Sequence, residues 1–374
     1  MTDGSSQHAT PHLAGLNGDD RGQLSRGEDH LLVTARPRFP WVGGDLQTLR
    51  SVLVRPAQID AGSRHRISVT MDDGTGDTLT GELCRPRAAG EPKAVAADCS
   101  DPGRPLVVLF HGLGGCFDSP YMRATTAALL EEGYAVLRMS MRGAHPGGAP
   151  SAGMYHAGRA DDALSVLDGL ARDVIGDGAA AHGIVAVGFS LGGNVLLNLF
   201  APSRIARLTA ALRGAMTVSA PIDPARAVQQ IRRARNRLYE RWLMKRIATQ
   251  FAGVAGSDTP AVRRQLADCT NVREFDETFT APRNGFADAE TYYTQVAGAQ
   301  FVPSISVPTR MIHAHDDPWI PVESYQDLIG GFSEDTELHL CANGGHVGFH
   351  HAGATRAYHD RVLLDFLSAL ALRT

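Results

Sequence analysis

Gly188-Phe189-Ser190-Leu191-Gly192 is the segment with the clearest chemical content. It follows the apolar run IVAV and precedes NVLLNLF, so a serine sits where a buried strand turns into a helix. Such a turn strains the serine backbone and tolerates only small residues on either flank. It lifts the hydroxyl above a sheet, with a helix N-terminus behind it that favours developing negative charge. A serine hydroxyl is a weak nucleophile at neutral pH. The placement therefore implies acyl chemistry only if a base, and a carboxylate to fix its tautomer, follow later in the chain.

Both follow, in the order serine, acid, histidine. After the apolar run TRMIHA stands His315-Asp316-Asp317-Pro318-Trp319-Ile320-Pro321. Adjacent residues leaving a strand point to opposite sides, so only one aspartate can face an imidazole. Asp317 is the assigned acid because Pro318 pins the turn just past it, and Asp316 is the alternative. The run ELHLC leads into Asn343-Gly344-Gly345-His346, where a Gly-Gly loop can swing His346 over the strand ends; His350, His351 and His359 are nearby competitors. A tetrahedral oxyanion needs two backbone N–H donors. Leu191, just past the serine, supplies one, and Leu113, within His111-Gly112-Leu113-Gly114-Gly115 after the strand PLVVLF, supplies the other. Because the base must be neutral, activity is expected to rise with pH through roughly 6 to 7.5.

Two rival chemistries are weaker. His313-Ala314-His315-Asp316-Asp317 has the H-x-H-x-D spacing of some metal hydrolases, with His313 and His315 expected on one strand face. A metal reading leaves the serine turn, the Gly-rich loop and the Gly-Gly-His unexplained. A phosphate cradle in the Gly-rich loop would need G-x-x-x-x-G-K-[ST] or G-x-G-x-x-G, and the chain has neither there. No cofactor and no metal are implied.

Positioning these residues requires a scaffold, and the rest of the chain describes one. The apolar runs at 105–110, 134–139, 183–189, 215–220, 309–314 and 337–341 alternate with helix-like segments, which implies a mostly parallel sheet covered on both faces. RISVTM (66–71) and LTGELC (79–84), joined through Asp72-Asp73-Gly74, read as an edge hairpin, making about eight strands. Residues 1–30 read as a polar, disordered tail, 31–374 as the α/β domain, and 88–103 as a surface loop. The stretch from about 221 to 305 lacks a buried strand and reads as a helical cap. Its helix from Ile231 to Phe251 carries Leu238 and Trp242, and Tyr239, Leu243, Ile247 and Phe251, at i, i+4 spacing. Between Arg226 and Arg246 there are eight Arg or Lys and one acid, Glu240, a pattern that fits either an ordinary solvated face packed on the core or a surface for peripheral contact with anionic lipid.

Bulk properties exclude other classes. With 36 Lys+Arg against 40 Asp+Glu the net charge is −4, so no overall basic field points to nucleic acid. Five scattered cysteines without a C-x-x-C pair argue against a disulfide framework and for a reducing compartment. The opening MTDGSSQHAT has no apolar h-region and no segment is long enough to span a membrane, so cytoplasmic residence is expected.

With Ser190, Asp317 and His346 in this order, the chain resembles the α/β-hydrolases, and further motifs make it similar to their YheT-like group of esterases. These are Phe39-Pro40-Trp41-Val42-Gly43-Gly44-Asp45-Leu46-Gln47-Thr48-Leu49, then HGLGG, Met141-Arg142-Gly143 and GFSLGGN. In the cap, Phe275-Asp276, Gly285-Phe286 and Tyr292-Tyr293 match the group's F-D, G-F and Y-Y pattern. The resemblance implies hydrolysis of carboxylic esters, with acylglycerols or phospholipid-like esters the substrates of eukaryotic members. Those members often carry an N-terminal membrane anchor, and the polar tail departs from them. An acyltransferase with the same triad is the alternative activity, and a catalytically dead binding protein is disfavoured because all three triad residues are present.

Overall fold

A strand can be apolar at every position only if it has no solvent side, and the unbroken apolar runs of this chain become such strands. The computed structural model describes residues 24–26, 30–87, 103–144, 151–172, 180–208 and 212–372. Its strands are β1 (Leu24–Arg26), β2 (His30–Val33), β3 (Ser63–Thr70), β4 (Thr78–Arg85), β5 (Leu106–Phe110), β6 (Val136–Met139), β7 (Ile184–Phe189), β8 (Leu212–Val218), β9 (Thr309–Ala314) and β10 (Thr336–Cys341). They form one sheet in the order β1-β2-β10-β9-β8-β7-β5-β6-β4-β3. From β2 to β6 every neighbouring pair is parallel, and the β3–β4 hairpin closes one edge antiparallel. This is the α/β-hydrolase architecture.

Alternation along the central strands feeds two layers at once. Leu106, Val108 and Phe110 enter one core cluster while Val107 and Leu109 enter the other, on the opposite face. Helix α1 (Gly44–Leu53) packs beside α2 (Pro120–Glu131), and α2, α3 (Ala160–Ala171), α4 (Leu191–Leu199) and the C-terminal helix Tyr358–Ala371 cover the two faces. Buried Arg142, of the Met141-Arg142-Gly143 motif, bonds Asp73, Asp77 and Asp162 and so ties the β3–β4 turn to α3.

The sheet has ten strands among the described residues where about eight were expected. The two additions come from the N-terminal segment: β1 pairs antiparallel with β2, and β2 parallel with β10. The expected tail, 1–30, lies mostly outside the described residues, but strand pairing begins at Leu24. Backbone hydrogen bonds to the edge of β10 order a stretch too short to show apolar periodicity. The expected loop 88–103 also lies outside the described residues except at its end.

Between β8 and β9 the chain is helical, without a named strand among the described residues. The single helix expected from Ile231 to Phe251 is instead two, α5 (Pro224–Ile231) and α6 (Arg237–Phe251). Asn236 causes the break: its buried amide donates to Gln230 O at 2.9 Å and Pro318 O at 2.7 Å, which turns the chain toward the segment after β9. Leu243, Ile247 and Phe251 are buried on α6, while Leu238 is 77% and Trp242 38% exposed, so the two i, i+4 stripes part company. No helix among the described residues is long and apolar enough to cross a membrane.

Candidate active site

Because β5, β7, β9 and β10 run parallel, their C-terminal ends share one edge of the sheet, where loops of distant sequence meet. Ser190 leaves β7 there with φ 51° and ψ −123°, a left-handed conformation that an L-residue adopts only under constraint. The turn is tight on both flanks. A Cβ on Gly188 would lie 2.4 Å from Gly192 O, and one on Gly192 2.6 Å from Phe110 O. Ser190 N–H donates to Val218 O at 2.8 Å, and helix α4 starts at the next residue.

His346 Nε2 lies 2.8 Å from Ser190 Oγ, and its Nδ1 lies 2.9 Å from Asp317 Oδ2. Asp317 Oδ1 accepts from the Trp319 and Ile320 N–H groups at 2.8 and 3.1 Å. Burial pushes the Asp317 carboxyl up, but the His346 imidazole, His313 and the Trp319 N–H outweigh it and hold the group below its ordinary value. An ionised Asp317 needs a donor at Nδ1, which leaves Nε2 free to accept from the serine. Trp319 covers the imidazole, with ring centroids 4.3 Å apart.

Asp316 faces the other way, and its Oδ1 accepts from the Gly344 and Gly345 N–H groups, both at 2.8 Å. It therefore holds the loop that carries His346. Helix α1 holds the same loop from outside. Thr48 Oγ1 accepts from His346 N–H at 2.8 Å, while Gln47 accepts from His350 N–H at 2.8 Å and donates to His350 O at 2.9 Å. The competing imidazoles point elsewhere: His350 lies 2.9 Å from an Arg50 nitrogen, His351 against Tyr358, and His359 beside Asp360.

The Gly-rich loop after β5 is fixed by two tyrosines. Gly112 N–H donates to Tyr121 Oη at 2.8 Å and Gly114 N–H to Tyr155 Oη at 2.6 Å. Between them, Leu113 N–H has no partner among the described residues, and neither does Leu191 N–H at the start of α4. These are the two candidate oxyanion donors. His111 Nε2 accepts from Met141 N–H, so its Nδ1 carries the proton and donates to Gly112 O at 2.8 Å. Helix α6 closes over the loop: Arg246 donates to Gly114 O at 2.5 Å, and Gln250 donates to Gly115 O at 2.7 Å while accepting from Tyr155. Burial pushes the Tyr121 phenol up to about 12, so it stays a neutral hydrogen-bonding group. The sequence carries no signal for Tyr121, Tyr155, Arg246 or Gln250. Their partners lie 9, 41, 132 and 135 residues away and become neighbours only in the folded sheet.

The H-x-H-x-D residues do not converge. His313 is buried and stacked on Tyr325, whereas His315 is exposed because β9 ends at Ala314 and the chain turns. The expectation of one shared face fails at that turn. Among the described residues, no group of three or more His, Cys, Asp or Glu side chains could hold a metal ion.

Ser190 opens into a cavity lined by Leu113, Val228, Leu243, Ile247, Phe275 and Ile320, with His156, Asp276, Tyr292 and Tyr293 also in its wall. Three imidazoles in this region are held neutral. Burial pushes His111 and His313 down to about 4 and His156 down to about 3. An unfolded chain protonates its histidines near pH ~6.5, so below that pH the unfolded state binds more protons than the folded one, and stability falls as pH falls. Each imidazole should contribute a loss of about 1 kcal/mol between pH ~7 and ~5.5. Asp276 and Asp365, which burial raises to about 6, take up protons first in the folded state and oppose part of that loss. His350, which burial and the Arg50 charge push down to about 3, adds a fourth such imidazole, so a net loss of about 3 kcal/mol is expected from urea unfolding at the two pH values; equal stabilities would contradict it.

The profile of the alpha/beta hydrolase family matches residues 107–358. The chain is 33% identical over 252 residues to the "Putative esterase YheT" of Escherichia coli (strain K12), covering 66% of this chain and 71% of that protein. It is 24% identical over 279 residues to a monoacylglycerol lipase of Saccharomyces cerevisiae, covering 72% of this chain but 60% of the yeast protein's length. Among solved structures, the Pyrococcus furiosus esterase Pf2001 superposes with a TM-score of 0.54 at 16% identity, covering 92% of this chain and 98% of that one. At that identity the last likeness speaks for the fold alone.

Proposed function

The chain belongs to the alpha/beta hydrolase family, in its YheT-like group, and from that premise we propose that it is a serine carboxylic-ester hydrolase working through Ser190, His346 and Asp317. Esterase- or lipase-type hydrolysis is the level on which the family and the relatives agree. The single observation that supports the finer reading is the unbroken hydrogen-bonded line from Ser190 Oγ through His346 to Asp317, at the mouth of an apolar cavity.

His346 Nε2 takes the Ser190 proton as Oγ attacks the ester carbonyl, and the carbonyl π electrons move onto oxygen. The N–H groups of Leu113 and Leu191 bind that oxyanion, which draws most of its stabilisation from donors already aimed at it. Collapse breaks the bond to the alcohol oxygen, which leaves with the proton from His346. Water then gives a proton to His346 and attacks the acyl-serine. The second collapse releases the carboxylic acid and returns the proton to Ser190.

The apolar lining suits a short- to medium-chain or lipid-like ester, and relatives named monoacylglycerol lipase and phospholipase support the lipid-like reading. Acyl transfer would use the same acyl-serine with an alcohol in place of water. The two are separated by running a p-nitrophenyl ester with and without a competing alcohol. Free acid is expected as the main product; near-complete conversion to the new ester at low alcohol would favour the transferase.

We also propose that the protein docks on anionic lipid through α6. Leu238 and Trp242 are exposed on it, as are Arg237, Arg241, Lys245 and Arg246. Tyr239 Oη of α6 lies 3.1 Å from Asp45 Oδ1 of α1, and Arg235, just before α6, pairs with the same carboxylate at 2.8 Å; beside this contact Phe39, Val42 and Leu46 are also exposed. Trp242 lies 6.2 Å from Trp319, the ring that covers His346, so this basic and apolar surface borders the proposed site. Co-sedimentation with phosphatidylcholine vesicles containing phosphatidylglycerol should exceed that with pure phosphatidylcholine and weaken with salt. Binding that ignores anionic lipid content would refute the docking surface. Cytoplasmic residence belongs to the same set of proposals and rests on the cysteine pattern.

A further inference from the structure

The cavity at Ser190 is not apolar throughout. Phe275-Asp276 and Tyr292-Tyr293, from two separate turns of the helical insertion, reach its wall together with His156 from the segment before α3. Asp276 accepts from Tyr293 Oη at 2.8 Å and sits in a single π-helical turn, Asp276–Thr280, a local departure often found at functional positions. His156 is 9% exposed, and its ring lies 5.6 Å from Tyr292, which in turn lies 5.2 Å from Tyr293. The four side chains therefore make one connected polar stretch in an oily wall.

Their hydrogen-bonding capacity is only partly used. His156 Nδ1 accepts from Gly158 N–H at 3.2 Å, so in the neutral ring that burial enforces, Nε2 carries the proton. That N–H has no acceptor among the described residues. Tyr292 Oη accepts from Ala157 N–H at 3.0 Å, and its own proton likewise has no acceptor there. The Asp276 carboxyl, whose value burial pushes up to about 6, accepts from Tyr293 and Thr280 and keeps further lone pairs. A plain alkyl chain filling this space would strand two donors and a carboxyl against hydrocarbon. One hydroxyl could answer them, since it donates to a carboxylate and accepts from an N–H or O–H.

We propose that the cavity is a binding site for a hydroxyl-bearing chain, so that the preferred substrate is an ester carrying a hydroxyl along the chain that enters it, recognised by His156, Tyr292 and Asp276. This deepens, and rests on, the esterase reading of Ser190. The hydroxyl can belong to the acyl chain or to the alcohol, so the test has an arm for each.

In the acyl arm, the p-nitrophenyl ester of a medium-chain ω-hydroxyalkanoate is compared with that of the unsubstituted alkanoate. The alcohol arm compares acetates of an ω-hydroxyalkanol and a plain alkanol of equal length. Wild-type kcat/KM should favour the hydroxylated member by about tenfold or more in one arm. Asp276→Asn and His156→Phe should each cut that preference severalfold, read as a ratio within one enzyme sample so that differences in folded fraction cancel. A wild-type ratio at or below unity in both arms overturns the proposal even if the variants fail to fold, as does a preference untouched by both variants. A separate reading keeps the two hypotheses apart. In the Ser190→Ala protein a medium-chain diol should raise the melting temperature more than the matching mono-alcohol, whether or not Ser190 is the nucleophile. If esters are turned over but the diol gives no added shift, the hydroxyl site falls and the esterase reading stands.

Discussion

Replacing Ser190 with alanine should lower turnover of any accepted ester by about four to six orders of magnitude while leaving the fold intact. The loss is this large because the three side chains act as a unit. Without Oγ, the imidazole of His346 has no proton to take, and Leu113 and Leu191 N–H can stabilise only the slow attack of water. Stability should change little. Among the described residues Ser190 Oγ bonds only His346, and the strained turn is held by its own backbone, through Ser190 N–H on Val218 O and the close approach of Gly188 to Gly192. An unfolding curve that overlays the wild type, with turnover at background, is the expected pair of results. Turnover within tenfold of wild type would remove Ser190 from the mechanism.

Asp317→Asn should cost about four orders of magnitude in kcat, whereas Asp316→Asn should cost less than about tenfold. The difference follows from what each carboxyl accepts. At position 317 the Oδ1 site takes two backbone N–H groups, from Trp319 and Ile320, so an asparagine must put its carbonyl oxygen there. Its NH2 then faces His346 Nδ1, which must become an acceptor. That moves the ring proton to Nε2, where it blocks transfer from Ser190. At position 316 the Oδ1 site takes the Gly344 and Gly345 N–H groups, and Oδ2 has no hydrogen-bond partner. An asparagine there keeps its oxygen on the two glycines and puts its NH2 where the buried Oδ2 already lacks a partner, so its cost falls on stability rather than on the triad. The pair of variants distinguishes the two aspartates by kcat, with circular dichroism confirming that both proteins fold. Equal losses would mean that the acid is not Asp317.

The parts of this molecule that were legible in the sequence are those in which chemistry and local geometry coincide. Gly188, Ser190 and Gly192 are constrained by their own turn, so their spacing carries the strand-to-helix transition with it. The apolar runs at β5, β7 and β9 announce strands without a solvent face. Alternation at a strand end allowed only one aspartate to face His346, and Pro318, just past Asp317, selected the one that bonds it. Elsewhere the controlling interaction is long-range. β1 and β2 are strands because β10 offers an edge, and nothing in Leu24–Arg26 alone demands it. The helix after Ile231 breaks because Asn236 finds Pro318 O, 82 residues away. The two tyrosines that hold the Gly-rich loop, and the Gln47-Thr48 pair that holds the His346 loop, belong to this second kind. Gln47-Thr48 was visible as a motif, but its contact with His346 N–H spans 298 residues and has no local signature.

The proposed chemistry requires Ser190 to be an activated nucleophile, and covalent trapping reports that directly. The intact protein is treated with a fluorophosphonate, digested, and mapped by mass spectrometry. A single adduct on the peptide containing Ser190 is predicted, formed with the loss of esterase activity, and labelling should slow sharply in His346→Ala, which removes the base but leaves the hydroxyl. An inactivated enzyme with its adduct on another residue, or an active esterase that the reagent never modifies at Ser190, would contradict it.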